Sequence, residues 1–258
     1  MKISVNSWLD IFILHVGVFM QKVILLAFIS LLLFISSCKK KSNPTGPEDN
    51  LPTQGLIAYY PFNGNANDES GNHYDGAIHG NIQFTNNGAY FPGTLTDYIT
   101  VSNFPAITQS FSITTHIQPL ILSWNPIVEK SNGTTEEPLS FWIGNTQVGV
   151  DLNAFTNSSP DRFSCMKDTS LSINKMYFLT STYDYVNGVI KIYIDGKEVK
   201  ESSTHVPVHS NGSQLLYFGE SFLGTQETFK GYMRDIRIFN RALIDSEIQS
   251  LYHEGGWK

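Results

Sequence analysis

Val189-Ile190-Lys191-Ile192-Tyr193-Ile194-Asp195-Gly196, residues 189–196, is the stretch on which the fold turns. Side chains alternate across a strand, so Ile190, Ile192 and Ile194 share one face while Val189, Lys191 and Tyr193 share the other. That pattern predicts a half-buried strand with the isoleucines in the core and Lys191 in water. Asp195-Gly196 follows at once. Two-residue hairpin turns require positive φ, which Gly adopts without steric cost, so the chain is predicted to reverse there.

The same texture extends outward in both directions. From Gly55 onward, short apolar or alternating runs are separated by Gly, Asn, Asp and Pro. Strands are predicted over Gly55–Phe62, Ala77–Phe84, Ala89–Phe91, Tyr98–Val101, Ser110–Gln118, Pro126–Glu129, Leu139–Ile143, Val148–Leu152, Tyr177–Tyr183, Val189–Ile194, Leu215–Gly219 and Tyr232–Phe239. One helix is predicted, Asp245 to Glu254, with Ile248, Leu251 and Tyr252 on one side and Gly255-Gly256 ending it. No long helical stretch alternates with the strands, which argues against βαβ architectures. Aromatic residues make up 13% of the chain and charged residues only 16%, a balance suited to large side chains packed between two sheets. The expected fold is all-β: a two-sheet antiparallel β-sandwich of jelly-roll type with a short C-terminal helix, one domain over residues 55–254.

Three stretches together resemble the laminin-G-like, concanavalin A-like lectin-glucanase jelly-roll family: GLIAYYPFNGNANDESGNHYDG (Gly55–Gly76), GVIKIYIDGKEV (Gly188–Val199) and GYMRDIRIFNRALIDSEIQSLY (Gly231–Tyr252). The first and third are the more specific in combination. The resemblance implies two packed antiparallel sheets used mostly to bind sugars, proteins or matrix components, although some enzymes share the fold. Where the family prefers a helix-capping Ser this chain has Ile244, and Asp245 is expected to cap instead.

The loop after the first strand is rich in oxygen ligands: Asn63, Asn65, Asn67, Asp68, Ser70 and Asn72. Calcium takes six to eight such oxygens. The same residues also cap turns, which is the competing reading. The resemblance implies a structural calcium joining this loop to an acid on the last strand. The matching residues are Asn63, Asp68 and Asp235, with Asn63 standing where the family has Asp.

The first 54 residues read as an export and anchoring segment. Val23 to Ile35 is an apolar run preceded by Lys22, too short to span a bilayer comfortably and suited to a signal peptide. Ile35-Ser36-Ser37-Cys38 resembles the bacterial lipobox. This implies cleavage before Cys38 and lipidation of its thiol, so residues 1–37 are a lipoprotein signal peptide, with Met20 a better initiator than Met1. Residues 38–54, with Lys39-Lys40-Lys41 and several Pro, Asn and Glu, read as a lipid-anchored flexible linker. The expected location is the bacterial cell envelope, lipid-anchored at the outer membrane or cell surface, with the membrane itself a partner through Cys38.

Removing residues 1–37 leaves 15 basic against 22 acidic residues, a balance that argues against nucleic acid as a partner. Only Cys38 and Cys165 occur, so the fold is not stapled by disulfides, and a lipidated Cys38 leaves Cys165 without an intramolecular partner. The Glu-x-Asp-x-x-Glu motif of related glucanases is absent. Glu129, Glu136 and Glu137 read as loose surface acids, and no catalytic residues are assigned. Several aromatics could stack on sugar rings, Trp124, Trp142 and Trp257 among them. Tyr183 and Tyr185, beside the Val186-Asn187-Gly188 turn, are the ligand-contact candidates. The expected function is a non-catalytic, surface-anchored recognition module for carbohydrate or protein ligands. The alternatives are a polysaccharide-active glycoside hydrolase or lyase, and an envelope adhesion or structural lipoprotein with no small ligand.

Overall fold

A computed structural model describes residues 51–256, apart from residues 134, 156–160, 170 and 222–226. Cys38, the signal segment, the linker and Trp257 lie outside the described residues. The described chain forms fifteen strands: β1 (Leu56–Tyr60), β2 (Ala77–His79), β3 (Gln83–Thr85), β4 (Gly88–Phe91), β5 (Tyr98–Val101), β6 (Phe111–Pro119), β7 (Asn125–Ser131), β8 (Glu137–Ile143), β9 (Gln147–Phe155), β10 (Phe163–Asp168), β11 (Tyr177–Asp184), β12 (Val189–Ile194), β13 (Lys197–Ser203), β14 (Leu215–Phe218) and β15 (Gly231–Phe239). One helix, α1 (Asp245–Tyr252), follows the last strand. The strands make two antiparallel sheets. One has eight strands in the order β13-β12-β11-β6-β15-β4-β3, with β1 paired to β15; the other has seven in the order β10-β9-β8-β7-β14-β5-β2. This is the all-β two-sheet sandwich that the alternating runs predict.

The core lies between the sheets. Ile190 and Ile192 are fully buried there, with Phe111, Ile113, Phe141, Val150 and Phe218. Asp195 and Gly196 take φ of 51° and 72°, two consecutive positive values that make the β12–β13 turn type I′. The Asp195 carboxylate accepts the Phe178 N–H at 2.9 Å, which fastens that turn to β11. The predicted exposed face of β12 is only partly exposed. Tyr193 is 98% buried because α1 lays Ile248 and Leu251 over it, together with Phe178, Phe239 and Leu243. A short helix therefore seals part of the outer face of the eight-stranded sheet.

Three local expectations are corrected. The predicted strand Ala77–Phe84 is two strands in different sheets: β2 pairs with β5, and β3 with β4. The break is Gly80, at φ 70°, where an added Cβ would lie 2.3 Å from the Thr96 carbonyl oxygen. Strand β10 was not predicted; it is an edge strand, and its sequence FSCMKD lacks a sustained alternation. Asp245 does not cap α1. The cap residue is Ile244, whose N–H donates to the Glu247 carboxylate at 3.0 Å, one half of a capping box. Asp245 instead accepts the Tyr193 hydroxyl at 2.9 Å.

Candidate functional site

The two tyrosines proposed from sequence as ligand contacts face the wrong way. Tyr183 is fully buried in the core, edge-on to Phe111, with its hydroxyl donating to the Val206 carbonyl at 2.7 Å. Tyr185 is half-buried and packs against the core and His205. The physical reason is strand parity. Residue 183 pairs with Ile190 and Phe111, both core residues, so its neighbours 182 and 184 point outward. Thr182 and Asp184 line an open cleft of about 620 Å³ at that turn.

The residues matched to a calcium site do not fit one. The Asp68 carboxylate is already filled by four donors: Tyr59 N–H and Ser70 N–H on Oδ1, Ser70 Oγ and Tyr74 N–H on Oδ2, all at 2.9–3.0 Å. Asp235 sits in a bulge of β15 at φ 53°. It accepts the Tyr59 hydroxyl at 3.1 Å and lies 3.4 Å from His116 Nδ1 and 3.5 Å from Arg234 Nε. Burial works to raise this carboxyl, but His116 first, then Arg237 and Arg234, hold it below the usual carboxylate range. Arg237 also lies 3.8 Å over the Tyr59 ring and pairs with Glu254 at 2.8 Å. A divalent cation at Asp235 would meet the Arg234 and Arg237 guanidiniums. Asp68 and Asp235 engage opposite ends of Tyr59, its backbone N–H and its hydroxyl, while Asn63 is exposed at the start of the loop. Among the described residues no group of three or more His, Cys, Asp and Glu could hold a metal.

The outer face of the seven-stranded sheet carries the richest chemistry. One row crosses it in register: Ser164, Asp151, Ser140, Glu129, Tyr217 and Thr100, on β10, β9, β8, β7, β14 and β5. Their strand neighbours Val150, Leu152, Leu139 and Val128 fill the core, so alternation sends this row outward. Two of the three acids expected at the surface are buried, Glu129 fully and Glu137 at 5% exposure, and Glu136 is half-buried. Burial pushes Glu137 up to about 7, with Asp151 and Glu227 adding to it against the Ser140 hydrogen bond and Arg162. Burial likewise pushes Glu220 up to about 7, with Asp97 contributing, and raises Asp151. Such displaced carboxyls gather at functional sites more often than elsewhere.

Beside this row stands an aromatic platform. Trp142 lies across Gly149 on the neighbouring strand, and its Nε1 donates to Asp151 at 2.8 Å. Trp124 stacks on Trp142 with centroids 3.8 Å apart and planes 25° from parallel. Trp142 is 1% exposed and Trp124 42%, so the pair presents one flat indole face outward, with exposed Met166 near it across Gly149. A planar aromatic with polar groups close by is the usual makeup of a small-ligand site. Sequence reading named both tryptophans only as generic stacking candidates. The signal that could have singled them out is Gly149, a glycine within a strand, which marks close approach by another group.

The two packed antiparallel sheets define a jelly-roll sandwich. The chain belongs to the Concanavalin A-like lectin/glucanases superfamily, whose family description matches residues 92–249, more than half of the chain. Comparison with curated protein sequences gave no significant match. Among solved structures, the ligand binding domain of botulinum neurotoxin serotype D in complex with N-acetylneuraminic acid is similar over 79% of this chain and 52% of its own, at 19% identity and a TM-score of 0.63. Domain 4 of AbnA, an extracellular arabinanase from Geobacillus stearothermophilus, in complex with arabinotriose, is similar over 76% of this chain and 98% of its own, at 21% identity and a TM-score of 0.59. The receptor binding domain of a botulinum neurotoxin C/D mosaic matches at 20% identity and a TM-score of 0.62. This chain spans about half the length of the neurotoxin domains it matches. At these identities the likeness concerns the fold.

Proposed function

We propose that this protein is a surface-anchored recognition module that binds carbohydrate on the outer face of its seven-stranded sheet. The observation that carries the reading is the Trp124–Trp142 stack, in which Trp124 is 42% exposed over a buried Trp142. An apolar sugar face can lie on Trp124 while the ring hydroxyls turn to polar groups at its edge. The solved relatives in complex with N-acetylneuraminic acid and arabinotriose support the choice of ligand class. A glycan array followed by calorimetry tests it. Trp124→Ala should weaken the best glycan by about tenfold or more, taking an aromatic contact as roughly 1–3 kcal/mol. No glycan binding at all, or binding indifferent to Trp124, would remove the reading.

The anchor belongs to the same proposal. Cys38, at the end of an apolar run with two serines before it, would hold the domain at the cell envelope. Cys38→Ala should release the protein from membranes or block its processing; unchanged partitioning into detergent and unchanged mass would count against lipidation.

The acid row favours one second reading, a polysaccharide-active enzyme. Glu137, pushed up to about 7, stands near Asp151 and could donate a proton. At 5% exposure its carboxyl is poorly placed to reach a glycosidic oxygen, which counts against this reading. Hydrolysis of a polysaccharide, abolished by Glu137→Gln, would reverse that order.

A further inference from the structure

The cleft of about 620 Å³ lies on the other sheet, between β11–β13 and the segment leading into α1. Thr182, Asp184 and Lys191 line it from the sheet and Asp245 from the first turn of α1, while Val189 and Leu243 add apolar surface. Thr182 is 97% buried, and its hydroxyl makes no hydrogen bond among the described residues. It lines the open cleft, where its hydroxyl is a polar group that a ligand can reach.

The charges of the cleft specify what that ligand is. Lys191 Nζ contacts Glu198 at 2.8 Å and Glu201 at 3.0 Å, so its charge is satisfied within the sheet. Asp184 is held below the usual carboxylate range by the Asn187 side-chain amide, partly against burial, and stays ionised in neutral solution. Asp245 accepts the neutral Tyr193 hydroxyl at 2.9 Å. The lining thus presents Asp184 and Asp245 with no ion pair among the described residues, while its one cation, Lys191, is shared by Glu198 and Glu201. An anion would be repelled, and a neutral ligand would leave the carboxylates without a counter-charge.

We propose that this cleft binds a primary ammonium on an aliphatic stem, such as the lysine side chain of a peptide. An ammonium offers three donors and no acceptor, which matches carboxylates from two elements and the Thr182 hydroxyl. Its methylenes lie along Val189 and Leu243, as amphipathic side chains do. The volume leaves room for peptide on either side of the lysine.

The test is calorimetry on the detergent-solubilised full chain with three probes: acetyl-Ala-Lys-Ala-amide, the same peptide with norleucine for lysine, and cadaverine. The lysine peptide should bind, more weakly at high salt, and the norleucine peptide should not. Asp184→Asn with Asp245→Asn should weaken the lysine peptide by about tenfold or more, as expected for losing charged hydrogen bonds. Thr182→Val should weaken it with an unchanged melting temperature, which separates the site from the fold. A peptide tighter than cadaverine identifies a protein lysine as the source; cadaverine as tight as the peptide identifies a free diamine. Equal binding of the norleucine peptide, full affinity in the folded double variant, competition by a neutral oligosaccharide, or no binding by any probe would each overturn the proposal.

Discussion

Gly149→Ala should dismantle the tryptophan platform from behind. A Cβ at residue 149 would lie 2.3, 2.6 and 2.9 Å from three atoms of the Trp142 ring. Ordinary carbon contacts are about 3.5–4.0 Å, so the ring must retreat by more than about 1 Å. Two costs follow. Overpacking in a filled site is worth roughly 1–3 kcal/mol. A displaced indole also lengthens the 2.8 Å hydrogen bond to Asp151, and a charged hydrogen bond is worth about 1.5–3 kcal/mol. The two are not independent, so the expected destabilisation is about 2–4 kcal/mol. Trp124 loses its support as well, and glycan affinity should fall with stability. Urea unfolding gives the free energy, and intrinsic tryptophan fluorescence reports whether the stack has opened. A variant within about 0.5 kcal/mol of the parent, a typical neutral surface change, with the same emission spectrum, would refute the argument that Gly149 exists to seat Trp142.

Three further outcomes are expected. Ile192→Ala empties a fully buried position between the sheets and should cost about 2–5 kcal/mol in denaturant unfolding; a loss well below 1 kcal/mol would mean the register of β12 is wrong. Glu220 is pushed from an ordinary 4.5 to about 7 in the folded protein, so the native state holds a proton that the unfolded chain has released; stability should therefore fall as pH rises from about 4.5 past 7, and Glu220→Gln should flatten the fall, a slope unchanged by the substitution counting against it. The melting temperature should be indifferent to calcium and to chelator, because Asp68 is saturated by donors and Asp235 is ringed by His116, Arg234 and Arg237; a calcium-dependent rise that Asp235→Ala abolishes would restore the metal site that the family resemblance implies.

Strand identity along this chain is a local property, and much of it is readable without coordinates. Val189–Ile194 and Tyr98–Val101 occupy the residues that their apolar pattern marks, and Asp195-Gly196 makes the turn its chemistry requires. Two-residue periodicity also separates the faces of each strand. It does not say which face looks inward when both carry large side chains, and Tyr183 shows the consequence. Its ring suits either a core or a sugar, and only pairing with Ile190 and Phe111 sends it inward. Lys130 makes the point from the other side. It lies fully buried beside Leu139 and Leu216, its ammonium donating to the Phe104 and Gln214 carbonyls, and burial lowers it to about 8. No periodicity rule places a lysine there.

The sequence by itself determined an all-β chain with a closing helix, because alternation, turn chemistry and amphipathic spacing act over a few residues. Only the tertiary structure decided the sites. The Trp124–Trp142 platform brings a loop residue onto a strand and needs a glycine on the next strand. The acid row takes one residue from each of several strands far apart in sequence. The cleft joins β11 to the segment before α1, some sixty residues later. Such sites depend on which strands lie side by side and in what register, and that is settled by burying the whole core at once rather than by any local run of residues.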